Sequence, residues 1–576
     1  MNRHIFFKFT LSVAVLLTLL SEVRAASVID IQQLKREESS QFQNVQGSGG
    51  KAHLINLNFH VGALYLLEVQ WPARGEKLPS YNLEIPEGNR FHLSLTAKGL
   101  NIQDTSNGIT KECDLFSDFD KSFLNRRYSN MNYSPVCDKV VFLRVRALSG
   151  NSGGTVEKGA NFLRNFGPTG EAVIEEYKNT HLDSTIERGE IKIGATQNVM
   201  GSDPGRPRRA SLTDYGQKSS IQVNNMKVEL KELASGNSLA AGEWYSAKNH
   251  PGVYASLIRP VLVSDEIMKS YAGVRVHSLD DIEKNALTYM VAFDLSKFTV
   301  GWSHGTGLPG VAWSERNPNH KAGMGGPDGF ANVEPLKAPG QLNPYYLKTL
   351  EAVMCGGFRR FHGVFKSGEL ASKNDGSYYG FIENGVVLSR LNPGLSTFLM
   401  YTNGEVEIKT WSAADEVRLP DIRYARQNGV PLVEPNPKDP KSEPGIPGAL
   451  VSNWGDGNWS GSATSQRRSA RAGACISEQN GKKFLIYGYF SSVNPESMAR
   501  VFQAYHCQNA MHLDMNSAGQ AYLGLFQMDG NRSHVENPVS EMASLNTKMD
   551  LDGKSLDVPR YVGSPDNTDF FFITRK

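Results

Sequence analysis

Two titratable residues stand two apart in the stretch NAMHLDMNSAG, residues 509–519: His512 and Asp514. Along an extended strand, alternation turns Ala510, His512 and Asp514 to one face and Met511, Leu513 and Met515 to the other. The Met/Leu face reads as core. The His/Asp face needs water, a protein partner or a ligand, because a buried carboxylate without a partner is costly. Asp514 stands where the strand gives way to the polar turn Asn516-Ser517-Ala518-Gly519. Strand ends and the loops after them commonly carry sites. The competing reading has Asp514 capping that turn.

Other chemistry-bearing patterns are weaker. GWSHGTGLPG (301–310) has Gly-x-Gly spacing but no strand-to-helix context for a nucleotide loop. Trp454 and Trp459 suit stacking on sugar rings and suit hydrophobic packing equally. Asp550, Asp552 and Gly553 echo a calcium loop, yet the distal glutamate is missing. The cysteines are Cys113, Cys137, Cys355, Cys475 and Cys507, with no CxxC and no Cys/His cluster at zinc spacing. No metal or cofactor is implied. Cys113 and Cys137 close a short loop rich in Asp, Asn, Ser and Tyr and are expected to form a disulfide. The other three lie in apolar stretches and read as core thiols, with their pairing open. An odd count leaves at least one unpaired within a monomer.

These residues need a scaffold, and the chain is long enough for two or three units at 576 residues. Its 40% apolar and 10% aromatic content excludes global disorder. The 55 Gly and 27 Pro favour turns and strands over long helices. Lys+Arg 61 against Asp+Glu 59 argues against a nucleic-acid partner, which usually faces a strong basic excess. Arg3, His4 and Lys8 precede a ten-residue apolar run, Leu11–Leu20, followed by Val23-Arg24-Ala25. That is the pattern of a signal peptide over 1–25, too short to span a membrane, and it predicts a secreted or periplasmic protein cleaved near Ala25.

Residues 26–52 read as a polar leader. Alternating runs over 53–200, such as AHLINLNFHVGALYLLEVQW, RFHLSLTAKGLNI and DKVVFLRVRAL, predict a β-rich accessory domain, with a helix or two over 157–188. The polar, basic stretch GSDPGRPRRASLTDYGQKSS opens a connecting segment over 201–250. From about Val253 strand-like runs recur to the end of the chain. One helix is well signalled: Asn494 as N-cap, Pro495 at the first helical position, then Met498, Val501, Phe502 and Tyr505 at helical spacing. It delivers the chain into NAMHLDM. The Pro-rich run 434–448 reads as a surface loop.

Several segments of this C-terminal part resemble the phosphodiester glycosidase family, which includes N-acetylglucosamine-1-phosphodiester alpha-N-acetylglucosaminidase. NAMHLDMNSAG resembles its A-x-x-L-D-G-G-G-S strand and loop, and SARAGACISEQNGKKFLIY its R-T-A-x-G turn and strand. FRRFHGVFK resembles the N-G-G-F strand, YYGFIENGVVL its G-x-x-x-x-G continuation, and ARQNGVPLVE the stretch ending in R-N-G. The resemblance covers about 251–576 and implies an α+β protein, a β-rich N-terminal domain followed by a mixed-sheet phosphodiester glycosidase-like domain. The motifs depart from the family pattern: His362 stands in the Asn place, the glycine loop is reduced to Met515-Asn516-Ser517, and Arg471-Ala472-Gly473 lacks the Thr.

What the resemblance implies is a carbohydrate or glycosyl-phosphate substrate. Cleaving a sugar from a phosphodiester expels a phosphomonoester with a second pKa of about 6, so the leaving group needs little acid help. It needs a cation on the phosphate, for which Arg471 is suited, and a carboxylate near the anomeric carbon, for which Asp514 is suited. His362 would orient either group or donate a proton, and Lys366 would add a point charge. Gln427, Asn428, His512, Asn516 and Ser517 have the donors and acceptors that sugar hydroxyls require. The plainer alternatives are a surface Arg471 grouped with Arg467 and Arg468, a structural His362, and solvated Lys366 and Gln427. A non-catalytic glycan-binding or envelope protein on the same fold is the rival reading of the whole.

Overall fold

The computed structural model describes residues 29–30, 38–45, 49–56, 64–70, 80–86, 90–117, 133–145, 173, 191–193, 205–222, 226–231, 238–306, 339–358, 379–389, 391–452, 468–529, 532–549 and 555–576. The signal-like segment 1–25, Trp454, Trp459, His362 and Lys366 lie outside them, as does the helical reading of 157–188 apart from Val173. What is described is β-rich with few helices.

The alternating text after residue 50 folds as its period requires. Glu38–Val45, Gly50–Asn56, Leu64–Gln70, Tyr81–Glu84, Tyr133–Val136 and Val141–Val145 share a six-stranded antiparallel sheet, and Phe91–Leu95, Gly99–Asp104 and Thr110–Asp114 a three-stranded one. Leu54, Leu67, Leu83, Leu93, Leu100 and Leu143 fill the core between them. Cys113, on the small sheet, is disulfide-bonded to Cys137, which follows a strand of the large one, with Cα atoms 5.3 Å apart. Closing that loop contributes about 3.5 kcal/mol in the chain-entropy account.

Two expectations about connecting segments give way. Residues 26–52 are not a loose leader throughout: Glu38–Val45 pairs antiparallel with Gly50–Asn56, and Ile29–Asp30 runs parallel to Val386–Val387. A strand at a sheet edge tolerates polar residues, so its pattern is faint. The segment 201–250 is likewise built in. Ser219–Gln222 pairs with Ser238–Ala240, Ser211 N–H reaches Ala504 O at 2.9 Å, and Ile221, Leu239 and Trp244 are buried. The side chains of Arg208 and Arg209 are 41% and 58% exposed, so the stretch reads as a break, while the backbone is satisfied by neighbours.

The C-terminal part has, in chain order, β1 (Val253–Ile258), β2 (Thr288–Asp294), β3 (Phe298–Ser303), β4 (Leu350–Cys355), β5 (Ile422–Gln427), β6 (Ser469–Gln479), β7 (Lys482–Val493), helix α1 (Pro495–Ala504), β8 (Asn509–Met515), β9 (Leu523–Asp529) and β10 (Phe570–Arg575). The order β1-β2-β7-β6-β8 forms the centre of an eight-stranded sheet. The Pro-rich run closes that sheet as a two-residue ribbon, Val433–Glu434 against Ile446–Pro447, packed beside β8 rather than standing off the surface. A second sheet has the order β3-β10-β4-β9-Arg532–Glu536, and β5 belongs to a third. Pairing within these sheets is antiparallel apart from the short Ile29–Asp30 contact, so the expected mixed character reduces to that contact.

Alternation explains the layering. Ala472, Ala474, Leu485, Tyr487, Met511 and Leu513 face the second sheet, with Val353, Leu525 and Phe571 opposite. Phe484, Ile486, Phe490 and Ala510 face the other way, onto Met498, Val501, Phe502 and Tyr505 of the helical segment. Each such large side chain contributes roughly 1.5–3 kcal/mol by burial. The Asn494 side chain accepts from Ser497 N at 2.9 Å, and the helix stops at His506, whose φ is 63°. A second disulfide, Cys475–Cys507, ties β6 to the helix exit, while Cys355 is a buried free thiol. Disulfides fit an extracellular or periplasmic location. Among the described residues no helix is long and apolar enough to cross a membrane.

Candidate functional site

β8 does not keep strict alternation to its end. Gly473 pairs with His512 and Arg471 with Met515, so Leu513 and Asp514 together oppose Ala472. Two residues against one is a β-bulge, a feature common beside active sites. Its consequence is a change of face. Met515, expected with Met511 and Leu513, instead packs in the helix-side core with Ala510. Asp514, expected on the His512 face, is set apart from it. Its N–H donates to Gly356 O at 3.0 Å, and its charge helps burial push the Cys355 thiol up. The N–H of Met515 donates to Asp514 Oδ1 at 2.9 Å.

Arg471 and His512 meet directly. The Arg471 Nη1 lies 3.0 Å from His512 Nε2 and 3.0 Å from Met515 Sδ, and Nε donates to Val493 O at 2.8 Å. A guanidinium has only donors, so His512 Nε2 must accept and carries no proton. The proton is therefore on Nδ1, where it donates to Leu513 O. Burial first, and then the Arg471 charge, hold the His512 pKa well below its ordinary value, so the ring is neutral. Arg471 is 1% exposed and His512 0%. The guanidinium is engaged with the protein through at least Nε and Nη1, which limits the expected grip on a phosphate.

The bulge is held from outside β8 by Asn428, expected as a sugar-binding residue, and by Phe358, Arg426 and Asp569, to which motif reading gave no role. Asn428 Nδ2 donates to His512 O at 2.7 Å and Leu513 O at 3.2 Å, and its Oδ1 accepts from Phe358 N at 3.0 Å. The Phe358 ring packs 4.8 Å from the His512 ring. Arg426 Nε donates to Asp569 Oδ2 at 2.7 Å and Nη2 to Phe358 O at 2.9 Å. Asp569 also accepts from Trp302 Nε1 at 2.9 Å and Gly357 N at 3.2 Å. The two glycines are required by contact: a Cβ on Gly356 would sit 2.1 Å from Asp569 Oδ2, and one on Gly357 2.8 Å from Arg426 Cζ. The signal was present as Gly356-Gly357-Phe358, which carries a Gly-Gly-Phe element intact. The segment matched to that element, 361–365, lies outside the described residues.

The remaining expectations divide by burial. Gln427 is fully buried and committed to structure: Oε1 accepts from Gly380 N and Asn392 N, and Nε2 donates to Asn392 O and Thr397 Oγ1. Asn428, also fully buried, positions β8 as above. These two amides stabilise the fold around the site instead of offering donors to a sugar. Asn516 takes a left-handed φ of 87° at the turn, and Ser517 is exposed with its hydroxyl accepting from Gln520 N. No metal-holding cluster of His, Cys, Asp and Glu occurs among the described residues.

No protein-family model matches the chain, and no curated protein matches it. Among solved structures, it is similar to the catalytic domain of zebrafish N-acetylglucosamine-1-phosphodiester alpha-N-acetylglucosaminidase, auto-inhibited by its pro-peptide. That likeness has a TM-score of 0.28 and 11% identity, covering 65% of this chain and 97% of the other. A hypothetical protein from Synechocystis is similar at TM-score 0.23 and 9% identity, over 89% and 97% of the two chains. These are distant fold relations and carry no conclusion about activity.

Proposed function

We propose that the protein is an extracytoplasmic hydrolase acting on a glycosyl-phosphodiester or related envelope glycan linkage, with Asp514 as its carboxylate. The observation that carries this reading is the bulge at Leu513–Asp514, at the end of a central strand and gripped by Asn428 and Gly356. A carboxylate held there is the group that attacks the anomeric carbon or activates water against it. A phosphomonoester leaves without strong acid assistance, so a neutral His512 is compatible with the chemistry. Arg471 supplies a fixed positive charge one strand away.

A second reading is favoured by a specific observation. Arg471, His512, Gln427 and Asn428 are buried and spent on protein partners. That is the pattern of a fold kept for glycan binding after its chemistry was lost. Hydrolysis of a panel of glycosyl phosphodiesters and simple glycosides by wild type and Asp514→Asn separates the two. Turnover abolished by the variant, with the fold intact, supports the hydrolase. Equal turnover in both removes Asp514 from the mechanism, and glycan binding without turnover in either supports the second reading.

A further inference from the structure

A groove of about 830 Å³ opens on the other side of the helix exit, between residues 208–212, 264–271, 436–446 and 503–506. That volume is ordinary for a small-molecule site. It is a different place from the bulge: Asp514 lies five residues along β8 from Asn509, about 17 Å at the rise of a strand, whereas the groove takes its residues from the chain before β8 begins.

The charges on its wall are matched. Arg208 Nη2 pairs with Glu443 Oε2 at 3.1 Å, and Arg209 Nη1 with Glu243 Oε1 at 3.3 Å. Two arginines against three glutamates, counting Glu266, leave one formal negative charge. His506 adds none near neutral pH, because burial and the Arg208 charge lower its pKa to about 4. Such a wall has no excess positive charge with which to hold a phosphate or a polyanion. It does present guanidinium donors beside carboxylate acceptors, the arrangement that matches vicinal hydroxyls, which donate and accept at once.

Two further residues point to a ligand. Tyr271 and His506 both line the groove, and both hold left-handed backbone at φ 55° and 63°. Glycine serves such positions with least strain, so a ring retained there calls for a reason. The His506 ring donates from Nε2 to Arg209 O at 3.1 Å and so fixes the arginine-bearing wall. Tyr271 is 36% exposed; the Arg275 guanidinium lies over its ring at 5.4 Å from the centroid, and the ring adds a flat apolar surface to a groove that Leu212, Ile267 and Ile446 also line. Paired charges around an exposed aromatic ring are the complement of a sugar, whose rims are hydroxyls and whose faces are C–H.

We infer that this groove binds a short neutral oligosaccharide, stacked on Tyr271 and hydrogen-bonded by the Arg208–Glu443 and Arg209–Glu243 pairs. The inference does not rest on the catalytic reading of Asp514.

The test is calorimetric titration of the full chain with chitotriose, cellotriose and maltotriose as neutral probes and trigalacturonate as an anionic one. At least one neutral trisaccharide should bind. Tyr271→Asn, which tolerates left-handed backbone but lacks the ring, should weaken that binding roughly tenfold. Glu443→Gln should weaken it too, and Asp514→Asn should leave it unchanged. Failure of all three neutral probes to bind overturns the inference. So does binding that ignores both groove variants, binding lost in Asp514→Asn, or preference for trigalacturonate. Circular dichroism on each variant guards against misfolding, and because the Tyr271 side chain is exposed, its replacement leaves the core untouched.

Discussion

Asp569 and Arg426 form an ion pair at 2.7 Å with each side chain only 2% exposed, and the backbone of Gly356 and Gly357 is folded against it. The pair joins the start of β10 to the end of β5 and, through Phe358 and Asn428, fixes the bulge that carries Asp514. Removing one partner leaves the other charge buried and uncompensated.

Asp569→Ala should therefore destabilise the protein by about 3–5 kcal/mol. Gly356→Ala should be comparably damaging, since its Cβ has no space. Urea denaturation of each variant is the check. A loss below about 1 kcal/mol for Asp569→Ala would show that the pair does not organise the loop.

The Arg471–His512 contact fixes a tautomer. Nitrogen-15 NMR of imidazole-labelled protein should show His512 protonated at Nδ1 and bare at Nε2, without titration through pH 6–7. In Arg471→Lys the planar fork is lost while charge is kept. If substrate phosphate is held by Arg471, rates on phosphodiesters should fall about one to two decades, as for loss of one charge-assisted contact. Rates on simple glycosides should change less.

Acid should unfold the protein early. His506 has a folded pKa of about 4 against about 6.5 in the unfolded chain. The unfolded state therefore binds the proton more tightly. The stabilisation is complete above about pH 6.5 and is lost as pH falls toward 4, by up to about 3 kcal/mol. His512, also depressed, acts in the same direction. His506→Asn keeps a residue that tolerates left-handed backbone and removes the titration. Its urea midpoint should vary less between pH 6.5 and 4 than that of wild type, and an unchanged slope would argue against the assignment.

Thiol counting addresses the cysteines. Denatured, unreduced protein should titrate one thiol, Cys355, and reduced protein five. Three thiols before reduction would mean that one disulfide is absent. Intact mass of secreted protein reports, in the same experiment, whether the chain is cleaved after Ala25.

The helix Pro495–Ala504 was legible because every cause is local: Asn494 as cap, Pro495 at the first position, and apolar spacing through Tyr505. Strands of the N-terminal sheets after Gly50 were legible for the same reason, since a two-residue period is set by consecutive side chains; the edge strand Glu38–Val45, polar throughout most of its length, was not. The short loop between Cys113 and Cys137 made their pairing a local inference as well. The bulge was not legible. Alternation placed His512 and Asp514 together, and only the register against β6 separates them, because one extra residue on a strand shifts everything after it to the other face. Long-range partners were hidden too. Arg426 and Asp569 are 143 residues apart, and their meeting depends on how the sheets stack rather than on any spacing in the text. The polar run 201–220 reads as a break because side-chain polarity marks solvent contact, while the backbone hydrogen bonds that hold its Ala210 and Ser211 to Gly242 and Ala504 are made by groups every residue has.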